Sequence, residues 1–261
     1  MSTSAVTVET RGRALRVTLT RADKRNALTL EMLDALHAAV DRVESERLSV
    51  LVISGSKGVF CAGADIATYA RSLDDLEALA AFGARAKSLM HRLTQSPAVV
   101  IAVVDGVAMG GGFELALSAD LVVASDRARF GLPEIRLGLI PGWEGTQRLV
   151  RHLGPNRAKE AILLARVMSA HELAGAGLVA RLAAPEELTA AADELVTALE
   201  AQAPLALAAA KGAITAAYEL DPATAGSARE TAALLALFAS ADGREGVTAF
   251  VDKRPAQFEG R

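Results

Sequence analysis

Apolar and polar residues alternate at the start of the chain and then give way to solid apolar runs. Val6 and Val8, then Leu15, Val17 and Leu19, recur at every second position, with Arg11-Gly12-Arg13 between the two sets. A period of two marks strands with one buried face, and the Arg-Gly-Arg step reads as a hairpin turn. From about Thr29 the period lengthens, so that Met32, Leu33, Leu36, Val40 and Val43 share one face of a helix. Val50 to Ser54 is a short buried strand, ended by Gly55-Ser56-Lys57-Gly58. A polar, alanine-rich helical stretch follows over roughly Leu73 to Gln95. Val99 to Val104 and Leu121 to Ala124 give two further strands. Strands that are apolar throughout and alternate with helices indicate parallel β-structure covered on its faces.

Further on, Ser169-x-x-Glu172 ahead of Leu173 is a capping-box signature, and Gly177 is a helix stop. After about residue 200 only helical patterns remain. Ala203-Pro204 marks the change, and Leu205 to Tyr218 and Ala232 to Ala239 are expected to be helical. The chain therefore divides into an α/β core over residues 1–200 and an all-helical region over residues 201–261. No solenoid repeat and no low-complexity tail interrupts it.

Composition narrows the function classes. The 261 residues are 51% hydrophobic, enough for one large core or a core with an appended subdomain. With 28 basic against 31 acidic residues the net charge is -3, not the positive footprint of a nucleic-acid binder. One cysteine, Cys61, cannot form a disulfide framework, and four histidines without clustered cysteines give no zinc spacing. Met1 to Thr10 lacks the basic and apolar regions of a signal peptide. The apolar run Ala98 to Val104, stopped by Asp105, is too short to span a bilayer. A soluble cytoplasmic protein without metal, membrane or nucleic-acid partner is expected.

Three segments could carry chemistry. Asp105-Gly106-Val107-Ala108-Met109-Gly110-Gly111-Gly112-Phe113-Glu114-Leu115 follows a strand and opens a short helix. Consecutive glycines let a ligand approach backbone N–H groups, and such groups at a helix start stabilise developing negative charge. Glu114 would then stand beside an oxyanion site, or else be a solvated residue after a tight turn. The glycine spacing fits neither a dinucleotide fingerprint nor a P-loop. Val59 to Ile66 surrounds Gly63 with small residues, and its Cys61 reads as a small buried hydrophobe. Phe130 to Gly142 sets Glu134 among apolar residues, which would raise its pKa, or places it on the surface at a helix start after Pro133.

Together these segments resemble the enoyl-CoA hydratase/isomerase (crotonase) family. The matching blocks are Arg21 to Leu28, Phe60 to Ile66, Gly106 to Leu115, Phe130 to Gly142, Gly145 to Leu149, Ser169 to Val179 and Glu245 to Arg254. Any one is weak, but seven in the family's order are specific. The resemblance implies a spiral of ββα units followed by a helical trimerisation region, assembled as a homotrimer or a dimer of trimers. It implies an acyl-CoA thioester substrate, with coenzyme A as part of that substrate and no separate cofactor. By position, the N–H groups of Ala64 and Gly111 would hold the thioester oxygen. Glu114 would activate the water that attacks C3, and Glu134 would protonate C2. Lys24 and Arg25 match the segment along the pantetheine and phosphates, and Ala62, Asp65 and Ile66 the loop bordering the adenine. Phe250 and Lys253 match residues that reach the coenzyme A of a neighbouring subunit. Gly142 matches a residue whose N–H helps hold the water, and Asp120 is structural.

The sequence departs from the family pattern at Trp143 and Glu144, where small residues usually stand. Trp143 either reshapes the acyl pocket or fills a gap away from it. Glu144 is either a third carboxyl near the reacting carbons or a solvated turn residue. By the resemblance, having both Glu114 and Glu134 favours hydration over isomerisation; C–C cleavage or thioester hydrolysis on the same frame is an alternative, and the glutamate pair with the acidic balance argues against a non-catalytic binding role.

Overall fold

The computed structural model describes residues 5–71, 74–217 and 225–261. β1 (Val6–Arg11) and β2 (Ala14–Leu19) form the expected antiparallel hairpin, turned by Gly12 at φ +58. β2 lies parallel to β3 (Val50–Gly55), and β3 to β4 (Val99–Val104). β5 (Val107–Met109) leaves this sheet, whereas β6 (Leu121–Ser125) rejoins it beside β4. β7 (Arg129–Gly131) pairs parallel with β5 and antiparallel with β8 (Met168–Ser169), and β9 (Arg181–Ala183) closes the main sheet on β6. The result is a six-stranded sheet of order β1-β2-β3-β4-β6-β9 and a three-stranded sheet of order β5-β7-β8.

The second sheet continues as isolated parallel bridges, Leu28 with Ala64 and Cys61 with Ala108. Each turn of the chain thus lays a strand in the large sheet, bends, touches the second layer and returns through helical structure. That is the spiral of ββα units expected from the sequence. The bends stack one above another, so residues far apart in sequence meet there. Short elements in that second layer were absent from the sequence pattern, because two or three residues are too few to show a period.

The helices cover both faces. α1 (Leu30–Ser45) starts where the pattern placed it, with Thr29 Oγ1 accepting from Met32 N–H at 3.3 Å. α2 (Ile66–Arg71) is a short helix not anticipated from the sequence. α3 (Leu76–Gln95) begins later than the polar stretch suggested, capped by Asp75, and Leu73 lies outside the described residues. α4 (Gly111–Leu117) opens directly on the glycine triplet. α5 (Gly145–Leu163) was also not anticipated, since Gly154 at φ +75 and Pro155 break its pattern midway. α6 (Ala170–Gly175) keeps half of the capping box: Ser169 Oγ accepts from Glu172 N–H, while the Glu172 carboxylate turns to Arg166. α7 (Leu188–Glu200) buries Leu188, Ala192 and Val196 against Ala14, Val52, Ile101 and Val123 on one face of the main sheet. The opposite face forms the larger core with α1, α3 and α4.

From Pro204 onward the described residues form helices and then a tail without regular structure from Pro255. These helices are α8 (Pro204–Ala216), α9 (Ser227–Ala239) and α10 (Ala241–Asp252). Tyr218, at the end of the helix expected from Leu205, lies outside the described residues. α8 is tied to the core by Lys211, whose Nζ donates to Leu93 O, Ala98 O and the Asp120 carboxylate at 2.7 Å. Asp120 also accepts from Val100 N–H, so it is a structural residue as expected. Burial raises the Asp120 pKa and lowers that of Lys211, against the pull of each on the other. Lys211→Met would strand a buried carboxylate, and urea unfolding should show a loss of about 3 kcal/mol. Among the described residues, no helix is long and apolar enough to cross a membrane.

Candidate active site

The bends of the spiral bring the three chemistry-bearing segments together. Gly63, at φ +107, backs onto the glycine triplet so closely that a Cβ there would lie 2.8 Å from Met109 O and 3.3 Å from Gly111 N. Gly112 presses on Cys61, where a Cβ would meet the carbonyl oxygen at 2.2 Å. The neighbouring Ala64 and Gly111 N–H groups have no acceptor among the described residues, while Gly110 N–H is spent on Gly131 O. Gly111 stands at the first position of α4, where such donors are unsatisfied by helix geometry. Cys61 is fully buried with its thiol pushed up to about 12, which keeps it inert, as the sequence suggested.

Glu114 is only 2% exposed, on the first turn of α4. Its Oε1 accepts from both Trp143 N–H and Gly145 N–H, each at 2.7 Å. Burial pushes its pKa up to about 7; the two N–H groups oppose that shift, while the charges of Glu134 and Glu144 add to it. Glu134 begins a 3-10 turn over Glu134–Leu137 and lies against Gly110, 2.9 Å from where a Cβ would stand. Its Oε2 is buried with no partner among the described residues, and burial raises its pKa as well. Two glutamates with raised pKa values therefore share one corner of the molecule. Between their titrations the pair holds a single proton.

Trp143 is 3% exposed and is packed into the same corner. Its ring occupies the space beside Gly111, where a Cβ would lie 2.2 Å from Cζ3, and it meets Phe82 of α3 edge-on at 5.7 Å. Glu144 is ion-paired with Arg148 at 2.6 Å rather than presented as a third free acid. Gly142, just before these residues, is exposed. The backbone clamp on Glu114, Phe82 and the Glu144–Arg148 pair were not foreseen. Main-chain donors leave no side-chain signature, although Gly145 beside Glu114 was a possible clue, since a Cβ there would lie 2.8 Å from Oε1.

The remaining candidates are less tightly gathered. Lys24 and Arg25 are exposed on the turn before α1, linked to the site through Ala62 N–H, which donates to Arg25 O. Ile66 is 55% exposed at the start of α2. The Asp65 carboxylate is occupied: it pairs with Arg21 and caps α2 through the N–H groups of Ala67 and Thr68. Phe250, 85% exposed, and Lys253 lie outside this cluster at the end of α10.

A buried and a half-buried glutamate thus stand beside backbone N–H groups with no acceptor among the described residues, an arrangement suited to acid–base chemistry. The family model described as Enoyl-CoA hydratase/isomerase matches residues 9–261. The chain is 38% identical to the 2,3-dehydroadipyl-CoA hydratase of Escherichia coli, covering 99% of this chain and all of that protein. It is 36% identical to the short-chain-enoyl-CoA hydratase of Clostridium acetobutylicum, covering 97% of each. A 1.8 Å crystal structure of an enoyl-CoA hydratase from Bacillus anthracis superposes with a TM-score of 0.94 at 32% identity, covering 98% of this chain and all of that one. The chain belongs to the enoyl-CoA hydratase/isomerase family and has the crotonase fold. It is an enzyme of the enoyl-CoA hydratase type.

Proposed function

We propose that this protein catalyses reversible syn hydration of a trans-2-enoyl-CoA. The N–H groups of Ala64 and Gly111 hold the thioester oxygen as it takes on enolate charge, and fixed donors need no reorganisation. Water adds to C3 while its proton passes to Glu114, and Glu134 delivers a proton to C2, so one water is added overall. Hydration starts with the shared proton on Glu134, and dehydration with it on Glu114. The observation that carries this reading is the clamped, buried Glu114 facing a second glutamate whose Oε2 has no partner among the described residues. Coenzyme A enters as part of the substrate, with no further cofactor. Lys24 and Arg25 lie along its phosphates, Ala62, Asp65 and Ile66 form the loop at its adenine, and Gly142 helps hold the water. The chain acts as a homotrimer or dimer of trimers, in which Phe250 and Lys253 reach a neighbour's coenzyme A.

A panel of short, long, branched and aromatic enoyl-CoAs, with products identified by mass spectrometry, tests the reading. Folded protein that hydrates none of them would overturn it. Because catalysis needs the pair singly protonated, kcat/KM should be bell-shaped, with one limb at about 7, where Glu114 titrates. A profile with no limb there would contradict the assignment. Trp143 shortens the acyl site by filling the space between Gly111 and Phe82. Trp143→Ala should therefore raise kcat/KM for a longer straight-chain enoyl-CoA relative to crotonyl-CoA by about 10-fold.

A further inference from the structure

Glu144 caps the start of α5 in the left-handed region, φ 80 and ψ 9, which L side chains rarely adopt. That backbone twist turns the Glu144–Gly145 peptide back toward the Gly142–Trp143 peptide, so that Trp143 N–H and Gly145 N–H both reach Glu114 Oε1. Neighbouring N–H groups gathered by one left-handed residue form a small anion nest. Glycine would take that conformation without strain. Here the residue is glutamate, and its carboxylate is held by Arg148 one turn along α5. Arg148 is in turn fixed by Thr94 Oγ1 at 2.8 Å and Met90 O at 3.3 Å, both on α3, and its side chain is only 12% exposed.

We propose that Glu144 and Arg148 are a positioning pair: their ion pair, anchored on α3, holds the left-handed turn that aims two backbone N–H groups at Glu114. The proposal rests on Glu114 being the catalytic base of the hydration described above. The charged groups bearing on Glu114 are Glu134 from the 3-10 turn and Glu144 from the cap of α5, with Arg148 neutralising the latter. His152, one turn beyond Arg148, has its proton affinity lowered by burial and by Arg148, so it adds no positive charge to offset Glu144.

The test is Arg148→Met, alone and combined with Glu144→Gly. The single substitution leaves Glu144 uncompensated and loosens the nest, and both changes favour the protonated form of Glu114. The limb of kcat/KM set by Glu114 should move up by about one pH unit, with kcat down by about 10-fold and KM little changed. Adding Glu144→Gly removes the loose charge and gives the turn a residue that prefers it, so rate and limb should return close to those of the parent. If Arg148 acts only by bridging to Thr94 and Met90, the double variant will be no better than the single, and the proposal fails. Infrared titration of the Glu114 carboxyl, with Glu114→Gln as the blank, reads the same shift without turnover. An enzyme that hydrates nothing yet shows this titration shift and its reversal would sink the hydratase reading and keep the positioning pair.

Discussion

Glu114→Gln is expected to lower kcat for hydration of crotonyl-CoA by about 10²–10⁴-fold while leaving the protein at least as stable as its parent. The amide oxygen of Gln can still accept from Trp143 and Gly145, so the corner keeps its shape. It cannot take a proton from water. The stability sign follows from burial. Glu114 binds its proton more tightly when folded than at its ordinary value of 4.5, so the folded state is favoured at low pH. That advantage is lost as pH rises from 4.5 through about 7, and amounts to about 3 kcal/mol in all. The Gln variant lacks this decline and should melt at a higher temperature than the parent at alkaline pH. Steady-state kinetics with thermal melts on either side of neutrality check both halves. An active variant would remove Glu114 from the mechanism. An inactive variant with a collapsed melt would mean that the clamp, not the carboxylate, had been measured.

Gly111→Ala should be the other severe substitution, cutting kcat/KM by about 10²–10³-fold. Its backbone tolerates any L residue, so strain is not the cause. The new methyl would sit 2.2 Å from the Trp143 ring, and either the indole or the Gly111 peptide must move. Since the indole is wedged against Phe82, the peptide gives way and its N–H turns from the position proposed for the thioester oxygen. Adding Trp143→Ala makes room for the methyl and should recover most of the lost rate. A double variant as poor as the single would place the damage elsewhere in the glycine triplet.

Much of this was legible in the sequence, and the reason differs by element. The strands of the large sheet could be read because burial on both faces makes them apolar throughout, as in Val99–Val104. α1 could be read because its stripe from Met32 to Val43 is one-sided. Glu114 and Glu134 were found only in company, since a lone glutamate after a turn looks the same whether buried or solvated. What stayed hidden was made of main chain or of tertiary contact. The donors on Glu114, the left-handed turn at Glu144 and the partnership of Trp143 with Phe82 depend on bends that meet only after folding. Asp65 was likewise placed only by its loop, and its carboxylate's bonds to Arg21 and to the cap of α2 are again tertiary and local contacts that the motif does not carry.

The stacking of bends has a temporal consequence. Ala64 and Gly111 leave the ribosome well before Trp143 and Gly145, which come from a later turn of the spiral. A nascent chain can therefore shape the cradle of donors early, but Glu114 is seized at Oε1 only when that later turn closes over it. The full clamp on Glu114 is withheld until more than half of the polypeptide has emerged, so a prematurely ended chain stopping short of Gly145 would carry the glycine triplet without both donors on that carboxylate.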